Sequence, residues 1–529
     1  MRWILSLLFL IFPTSAFAQS ATWTGPTRSG ALENLVDTLE NSERHGLQSA
    51  DYYSDELARA DASIASADID RLAEIAFRNF AEDLLTGRLD PRSIERQWPF
   101  QARQGDIDAA FQTALSTGDV ADALARFEPQ MSAYQALIAE RLFWLKQADG
   151  DWPAIVTARD HMELGDSGID VDALRRRLVQ LGRLQPVSSI VSVDSILFDF
   201  EMLELTPDFD IAMQVAVRNV QQLARIHPDG IVGPGTLAWL NRTPSHRADV
   251  LRANLERLRW LPDDFGTRHI VVNIPDFTLQ VVEDGETVRR HDVIVGRVSR
   301  PSPVLSATLE YLIVNPWWET PYRLAVNDEL PLFRRDPSAV ARLGFQILDG
   351  DGQVVDASTI DWTTVSASNF PYRLRQAPGP LNALGVVKLI FPNSHSTFLH
   401  DTPGRARFEE MPRALSSGCV RVRDAVELAQ WATEAGTTEA VEVSSLVETR
   451  RETRLNMREE IRVHFLYFTA FLDANGSVRM VHDLYDKDPI IIEAMDRSYE
   501  DDQTRRTRAR PDIRYAAGAS DRFIGDCPA

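Results

Sequence analysis

Cys419 lies in the run Ser416-Ser417-Gly418-Cys419-Val420-Arg421, and His400 precedes it by nineteen residues at the end of "STFLHD". A thiol becomes a nucleophile when a base takes its proton and donors stand ready for the oxyanion that forms. An imidazole is the commonest such base. Ser417, Gly418 and Cys419 could offer backbone N–H groups from one tight turn, because glycine adopts conformations closed to other residues. A helix that begins near Asp424, "DAVELAQWATEAG", would aim its positive end at the thiol and favour the thiolate. Asp401 is either a third member that orients His400 or part of a turn, "DTP".

Spacing alone makes His400 and Cys419 a weak pair, and a lone cysteine can also be a small buried hydrophobe. His395 lies nearby, while His269, His291, His464 and His482 fall in strand-like runs where hydrogen-bonded structural histidines are the rule. No H-x-x-x-H or C-x-x-C occurs, so the ligand spacing of a metal site is missing. The chain has two cysteines in 529 residues, which is no disulfide framework. Cys527 stands three residues from the C-terminus, and a Cys419–Cys527 disulfide would silence the thiol.

The elements that must position these groups change character along the chain. Residues 21 to about 160 carry apolar residues at three and four spacing, as in "DIDRLAEIAFRNFAEDLLTG", where Ile69, Leu72, Ala76 and Phe80 would share a helix face. From 161 to 245 three helices are expected, "VDALRRRLVQLGRL", "FDIAMQVAVRNVQQLARIH" and the helix that follows "PDGIVGPG". A linker helix, "ADVLRANLERLRWLP", then gives way to period two. "RHIVVNIPDFTLQVVEDGETVRRHDVIVGR" contains three strands with a turn at Asp284-Gly285. Further strands are expected at "ATLEYLIVNPWW", "GVVKLIFPN" and "STFLHD". Residues 318 to about 375 read as a less regular insertion or lid. Beyond 448 come more strands, a turn at Asn475-Gly476, and a charged tail.

Composition narrows the partners. The formal charge of −21 argues against nucleic acid and anionic membranes, which reward clustered Lys and Arg. Arg2 ahead of the apolar run Ile4–Phe12, followed by Ala16-Phe17-Ala18, reads as a cleavable signal over residues 1–18. No later stretch is long and apolar enough to cross a bilayer.

The stretch "LHDTPGRARFEEMPRALSSGCVRVRDAVELAQW" resembles the active-site region of the L,D-transpeptidases with a YkuD-type catalytic domain, closest to their large periplasmic YcbB-like branch. His400-Asp401-Thr402 matches the family's histidine motif, and Ser416 to Arg421 matches its cysteine motif. "VIVGRVSRPSPVLS", "NPWWETP", "APGPLNALGVVK" and "DLYDKD" also resemble that branch, with Ser302 where threonine is usual. Leu178 to Gly182, Ala216-Val217 to Gln221, and Asp229-Gly230 to Thr236 resemble a three-helix peptidoglycan-binding domain, interrupted by the insertion "QPVSSIVSVDSILFDFEMLEL".

The resemblance implies an α+β multidomain chain. A helical scaffold would occupy 19–160, a peptidoglycan-binding module 161–245, a mainly β catalytic domain 246–447 with its lid near 318–375, and a C-terminal extension 448–529. It implies Cys419 as nucleophile and His400 as general base and acid, oriented by a backbone carbonyl. Ser417 and Gly418 would serve the oxyanion, and Arg421 either a substrate carboxylate, which its guanidinium matches bidentately, or a structural salt bridge. The reaction implied uses peptidoglycan tetrapeptide stems as donor and acceptor, in the periplasm, without metal or cofactor. A thioester on the third stem residue would release D-alanine and yield a 3→3 crosslink. A hydrolase with the same cysteine, such as an L,D-carboxypeptidase, and a non-catalytic wall-binding protein are the alternatives.

Overall fold

The computed structural model describes residues 22–23, 30–59, 66–185, 208–436 and 441–497. The signal segment 1–18, the insertion within the three-helix module, the charged tail and Cys527 lie outside the described residues.

The chain divides into two compact units. The first takes the described residues up to Gly87 together with Gln104–Pro129. It is helical, built on Ala31–Glu40, Ser66–Thr86 and Ile107–Thr117. The periodicity of the long helix holds, with Ile69, Ala76 and Phe80 buried and Leu72 only half so. Phe111 packs edge to face on Trp23 and Phe77, which lie tilted to each other, with ring centres 5.6–6.1 Å apart, and Asp106 caps its helix by accepting from the Ala109 N–H.

The second unit holds everything else. Its three-helix module comprises Ile169–Gln180, Ile211–Ala224 and Pro234–Leu240 around Leu174, Leu178, Val217 and Val220. The glutamine motif has a structural explanation. Buried Gln221 donates to Asp229 Oδ1, the Ile231 carbonyl and Thr236 Oγ1, and accepts from the Gly230 N–H. One amide thus pins the whole glycine turn.

The helix expected as a linker is instead the core post of the unit. It spans Pro244–Arg259, and all but a few of its residues are buried. Its charged residues misled the reading because they are paired inside. Glu256 and Arg259 bond each other at 2.6 Å with neither side chain exposed, and Arg257 reaches Asp488 at 2.5 Å.

An eleven-stranded sheet surrounds that core. Its order runs Thr453–Asn456, Tyr311–Val314, Val387–Ile390, Leu399–His400, Val420–Val422, Glu286–Gly296, Thr278–Glu283, Arg268–Asn273, Arg462–Leu466 and Leu305–Thr308, with Ala414–Ser416 pairing the long strand from the side. The last strand ends at Thr308 and the second begins at Tyr311. Three peptide links span at most about 11 Å, so the sheet curls until its two ends nearly meet. Asp284 and Gly285 both take positive φ, 50° and 84°, as a tight hairpin turn requires.

The insertion is more ordered than its sequence suggested. Residues 318–376 form a four-stranded sheet, Trp318–Glu319, Arg373–Gln376, Phe345–Leu348 and Val354–Val355 in that order, over a core that includes Phe333, Trp362 and Leu374. Strands of two to four residues and helices of three to six are too short for periodicity to show. Trp318 and Tyr372 pack against that core, while Trp317 stays 36% exposed under the Arg375 guanidinium at 4.6 Å.

Candidate active site

Two short parallel strands bring the predicted pair together. Leu399 pairs with Val420 and His400 with Arg421, and the Val420 N–H donates to the Phe398 carbonyl at 3.1 Å. Leu399 and Val420 face the core. By alternation, His400, Cys419 and Arg421 share the opposite face, with Cys419 diagonal to His400. On the neighbouring strand Lys388 stands directly opposite His400, its ammonium 4.0 Å from the Phe398 ring centre. The positive charges of Lys388 and Arg421 both act on Cys419 and on His400, so the four side chains form one cluster.

His400 is fixed through its Nδ1, which lies 2.6 Å from the Asp401 carbonyl oxygen. That partner can only accept, so Nδ1 carries the proton and Nε2 keeps its lone pair. Burial, then Arg421 and Lys388, push the ring down to about 3 despite the carbonyls of Asp401 and Leu384. It is a neutral imidazole at any physiological pH. The Asp401 carboxylate turns away from the ring. Its Oδ2 accepts from the Val386 N–H at 3.0 Å, and its Oδ1 from Arg405 at 3.3 Å. Asp401 therefore belongs to the turn, where Gly385 has φ +63° and a Cβ would lie 2.3 Å from Oδ2.

The loop that carries Cys419 is held from three sides. Ser416 Oγ donates to the Cys419 carbonyl at 2.5 Å and accepts from the Gly418 N–H at 3.1 Å. Gly418 itself sits at φ +116°, where a side chain would be strained. Ser302 Oγ donates to the Gly418 carbonyl at 2.8 Å and accepts from the Gly296 N–H at 2.9 Å. Tyr485 closes the bracket, donating to the Gly296 carbonyl at 2.6 Å and accepting from the Ser302 N–H at 3.1 Å. Finally, Ser417 Oγ accepts from Arg297 at 3.0 Å and from Arg300 at 3.1 Å. Both arginines reach into the lid, where Asp328 lies 2.6 Å from Arg300 and 3.6 Å from Arg297. Asp328 sits on a single π-helical turn, Ala325–Glu329.

Burial raises the Cys419 thiol above its usual range, and the Phe398 N–H, Lys388 and Arg421 only partly oppose this. The helix was expected to lower it. That helix does begin at Ala425, yet the groups that favour the thiolate are an amide and two cations of the sheet. The resting pair is thus neutral thiol beside neutral imidazole. Arg421 is largely buried, with its guanidinium pushed down by burial and then by Arg407. Its Nε has no hydrogen-bond partner, and among the described residues no carboxylate pairs with it.

Three of the strand histidines are tied to backbone carbonyls. His269 Nδ1 meets the Gly266 carbonyl at 2.6 Å, His291 Nδ1 the Arg423 carbonyl at 2.9 Å, and His464 Nε2 the Phe265 carbonyl at 3.3 Å. Among the described residues no group of three His, Cys, Asp or Glu side chains is close enough to hold a metal. Reading the sequence missed Lys388, Arg297, Arg300 and Tyr485. Only Lys388 left a signal there, a lone charge on the polar side of "GVVKLIF".

Comparison with known proteins places this geometry. Residues 267–447 match the YkuD family, the L,D-transpeptidase catalytic domain. The chain carries an L,D-transpeptidase catalytic domain. Residues 17–140 match a family described as a scaffold domain, and residues 167–240 one described as "Putative peptidoglycan binding domain". A Haemophilus influenzae protein named "Putative L,D-transpeptidase" is 40% identical over 245 residues, 46% of this chain and 49% of that protein. The chain thus spans about half the length of this curated relative. Two crystal structures titled as L,D-transpeptidases were also found. The one from Xylanimonas cellulosilytica is 16% identical, covers 59% of this chain and 100% of its own, and has a TM-score of 0.17. The one from Stackebrandtia nassauensis is 13% identical, covers 59% and 97%, and scores 0.20. Superpositions that poor add nothing to the sheet order already described. Beyond the matched L,D-transpeptidase segment, strands Thr453–Asn456 and Arg462–Leu466 complete the same sheet.

Proposed function

We propose that this protein is a peptidoglycan L,D-transpeptidase that forms 3→3 crosslinks through a thioester on Cys419. The observation that carries the reading is the juxtaposition of Cys419 with a His400 whose Nδ1 is tied to a carbonyl, leaving Nε2 free to accept a proton.

In the first half-reaction His400 Nε2 takes the Cys419 proton as Sγ attacks the carbonyl carbon of the third stem residue. The tetrahedral oxyanion rests on backbone N–H groups of the loop. We assign the amides of Ser417 and Cys419 to it, because the Gly418 N–H is engaged by Ser416 Oγ. The carbon–nitrogen bond to D-alanine then breaks, and the departing amine takes the proton from His400. In the second half-reaction the side-chain amine of an acceptor stem attacks the thioester, passes its proton to His400, and Sγ leaves and is reprotonated. Arg421, buried beside the pair without an acid of its own, binds a stem carboxylate. Neutral resting partners suit this sequence, since charge separates only once substrate has displaced water.

The three-helix module holds the enzyme on its polymer and raises the local stem concentration. The site of action is the periplasm, reached by cleavage after residue 18. Mass spectrometry on the mature protein with a disaccharide-tetrapeptide, beside Cys419→Ala, tests the proposal. A crosslinked dimer and free D-alanine from wild type alone are expected. Tripeptide without dimer would instead mean a hydrolase, and no turnover with a free thiol would remove the catalytic reading.

A further inference from the structure

A groove of about 730 Å³ runs between the three-helix module, the catalytic sheet and the C-terminal hairpin. It contains no part of the Cys419 cluster. Its walls come from three separate segments, and each contributes arginine. Arg183 and Arg225 belong to the module, Arg413 and Arg423 flank the Cys419 loop, and Arg479 lies on the strand Val478–Met480.

The charges do not balance. Arg225 bonds Asp276 at 2.8 Å. Arg413 and Arg423 share Asp292 at 2.8 and 3.4 Å, and Arg423 also reaches Glu409 at 2.8 Å. Three carboxylates therefore face five guanidiniums. Among the described residues neither Arg183 nor Arg479 forms an ion pair; Arg479 Nη2 donates to the Leu223 carbonyl at 3.3 Å, while its Nε is buried without a hydrogen bond. Burial first, and then Arg225, push the Arg479 guanidinium down, while Asp276 and Asp473 oppose this from beyond ion-pairing distance. In a chain of net charge −21, a cationic groove built from three segments is a local reversal. Such a reversal is stable when an anion completes it. Asn219 and Gln222 line the same groove and add neutral hydrogen-bonding groups.

The groove is also placed in register with the site. Arg421 pairs with Ile294 and Val422 with Val293, and the Arg423 N–H donates to the Asp292 carbonyl at 2.9 Å. Two strand residues, roughly 7 Å, thus separate Arg421 from the groove floor. Arg421 and Arg423 point to the same side of the strand by alternation, which sets the groove next to the Cys419 cluster along one strand.

We infer that this arginine groove is a second peptidoglycan-binding site, which takes the carboxylates of a stem next along the strand from the one that reacts. The inference rests on the substrate class proposed above. It differs from anchoring by the module alone, because three of its five arginines come from the catalytic domain and the hairpin.

The test is cosedimentation of full-length protein with purified, insoluble peptidoglycan at 50 and 500 mM salt. Arg183→Glu, Arg479→Gln and the double variant are compared with wild type. Arg183 is exposed, so its replacement leaves folding intact even if Arg479→Gln does not. The expected result is a roughly tenfold loss of affinity for each single variant at low salt, in line with loss of a charge-assisted contact, and a smaller difference at high salt. Peptidoglycan whose carboxylates have been converted to amides should bind wild type as weakly as untreated polymer binds the double variant. Undiminished binding by Arg183→Glu, or equal binding of amidated polymer, would overturn the inference. Turnover of soluble disaccharide-tetrapeptide by wild type, run alongside, separates these outcomes from failure of the transpeptidase reading.

Discussion

Arg300 grips both carboxylate oxygens of Asp328, Nη1 to Oδ2 at 2.6 Å and Nη2 to Oδ1 at 3.0 Å, while the same Nη1 donates to Ser417 Oγ. The lid is thereby fastened to a residue two positions from Cys419. A partly buried bidentate pair of this kind contributes about 1 kcal/mol. Asp328→Ala should therefore speed amide exchange across Tyr322–Arg335 about fivefold while the sheet strands stay unchanged. Glu329, next in the chain, has its carboxyl raised to about 7 by burial and by Asp328. An acid with a raised folded pKa stabilises below that value and loses the contribution as pH rises through it. Lid exchange, corrected for intrinsic rates, should therefore quicken as pH rises from about 4.5 to about 7 and level off above that, and Glu329→Gln should abolish the rise.

Ser302 holds two backbone groups that have no other side-chain support. Ser302→Ala leaves the Gly296 N–H and the Gly418 carbonyl unsatisfied, at a cost of about 1–3 kcal/mol. We expect a lower thermal midpoint and at least a tenfold fall in turnover, with Ser302→Thr restoring both because it keeps the hydroxyl. An active, equally stable Ser302→Ala protein would show the bracket to be idle.

The protonation state of the pair predicts an alkylation profile. Burial keeps the Cys419 thiol protonated through neutrality, and His400, held near 3, gives no inflection around pH 6. The rate with iodoacetamide should climb with pH into and beyond the ordinary cysteine range. Lys388→Met removes a cation that favours the thiolate, so its curve should shift to higher pH. A plateau of high reactivity at pH 5–7 would mean a preformed thiolate–imidazolium pair, contrary to this account.

Arg421 predicts a trade between stability and activity. A largely buried cation without an acid is costly, so Arg421→Met should stabilise the protein by about 1 kcal/mol. Loss of a charge-assisted contact to substrate, about 1.5–3 kcal/mol, should meanwhile cut kcat/KM by tenfold or more. Calorimetry and steady-state kinetics on the same preparation decide it. A destabilised Arg421→Met protein would point to a structural role.

The parts of the molecule that were legible in the sequence are those with a short-range signature. Asp284-Gly285 announced its hairpin, and the alternation through Arg268–Gly296 announced three strands. The cysteine motif announced its loop, because a glycine at φ +116° and a serine that closes the turn lie within four residues of one another. What stayed hidden depends on distant partners. Tyr485 meets Ser302 across 183 positions, and nothing local marks either as a bracket. Arg257 and Arg259 gave no sign of an interior helix, because charge usually means surface, and only Asp488 and Glu256 make them interior. The lid's four-stranded sheet was lost because its elements are shorter than the period needed to recognise them.

Strand Arg462–Leu466 lies between Arg268–Asn273 and Leu305–Thr308, segments made more than 150 residues earlier. A polypeptide that emerges from its N-terminus holds those two strands apart, their edges unpaired, until position 466 arrives, and the Gly296–Ser302 corner waits longer still for Tyr485. Pairing at such separations is slow. Completion of the sheet and its corner therefore waits on residues 462–485. A chain stopped at residue 447, where the family match ends, would carry Cys419 and His400 on an unfinished sheet and should have neither a fixed loop nor activity.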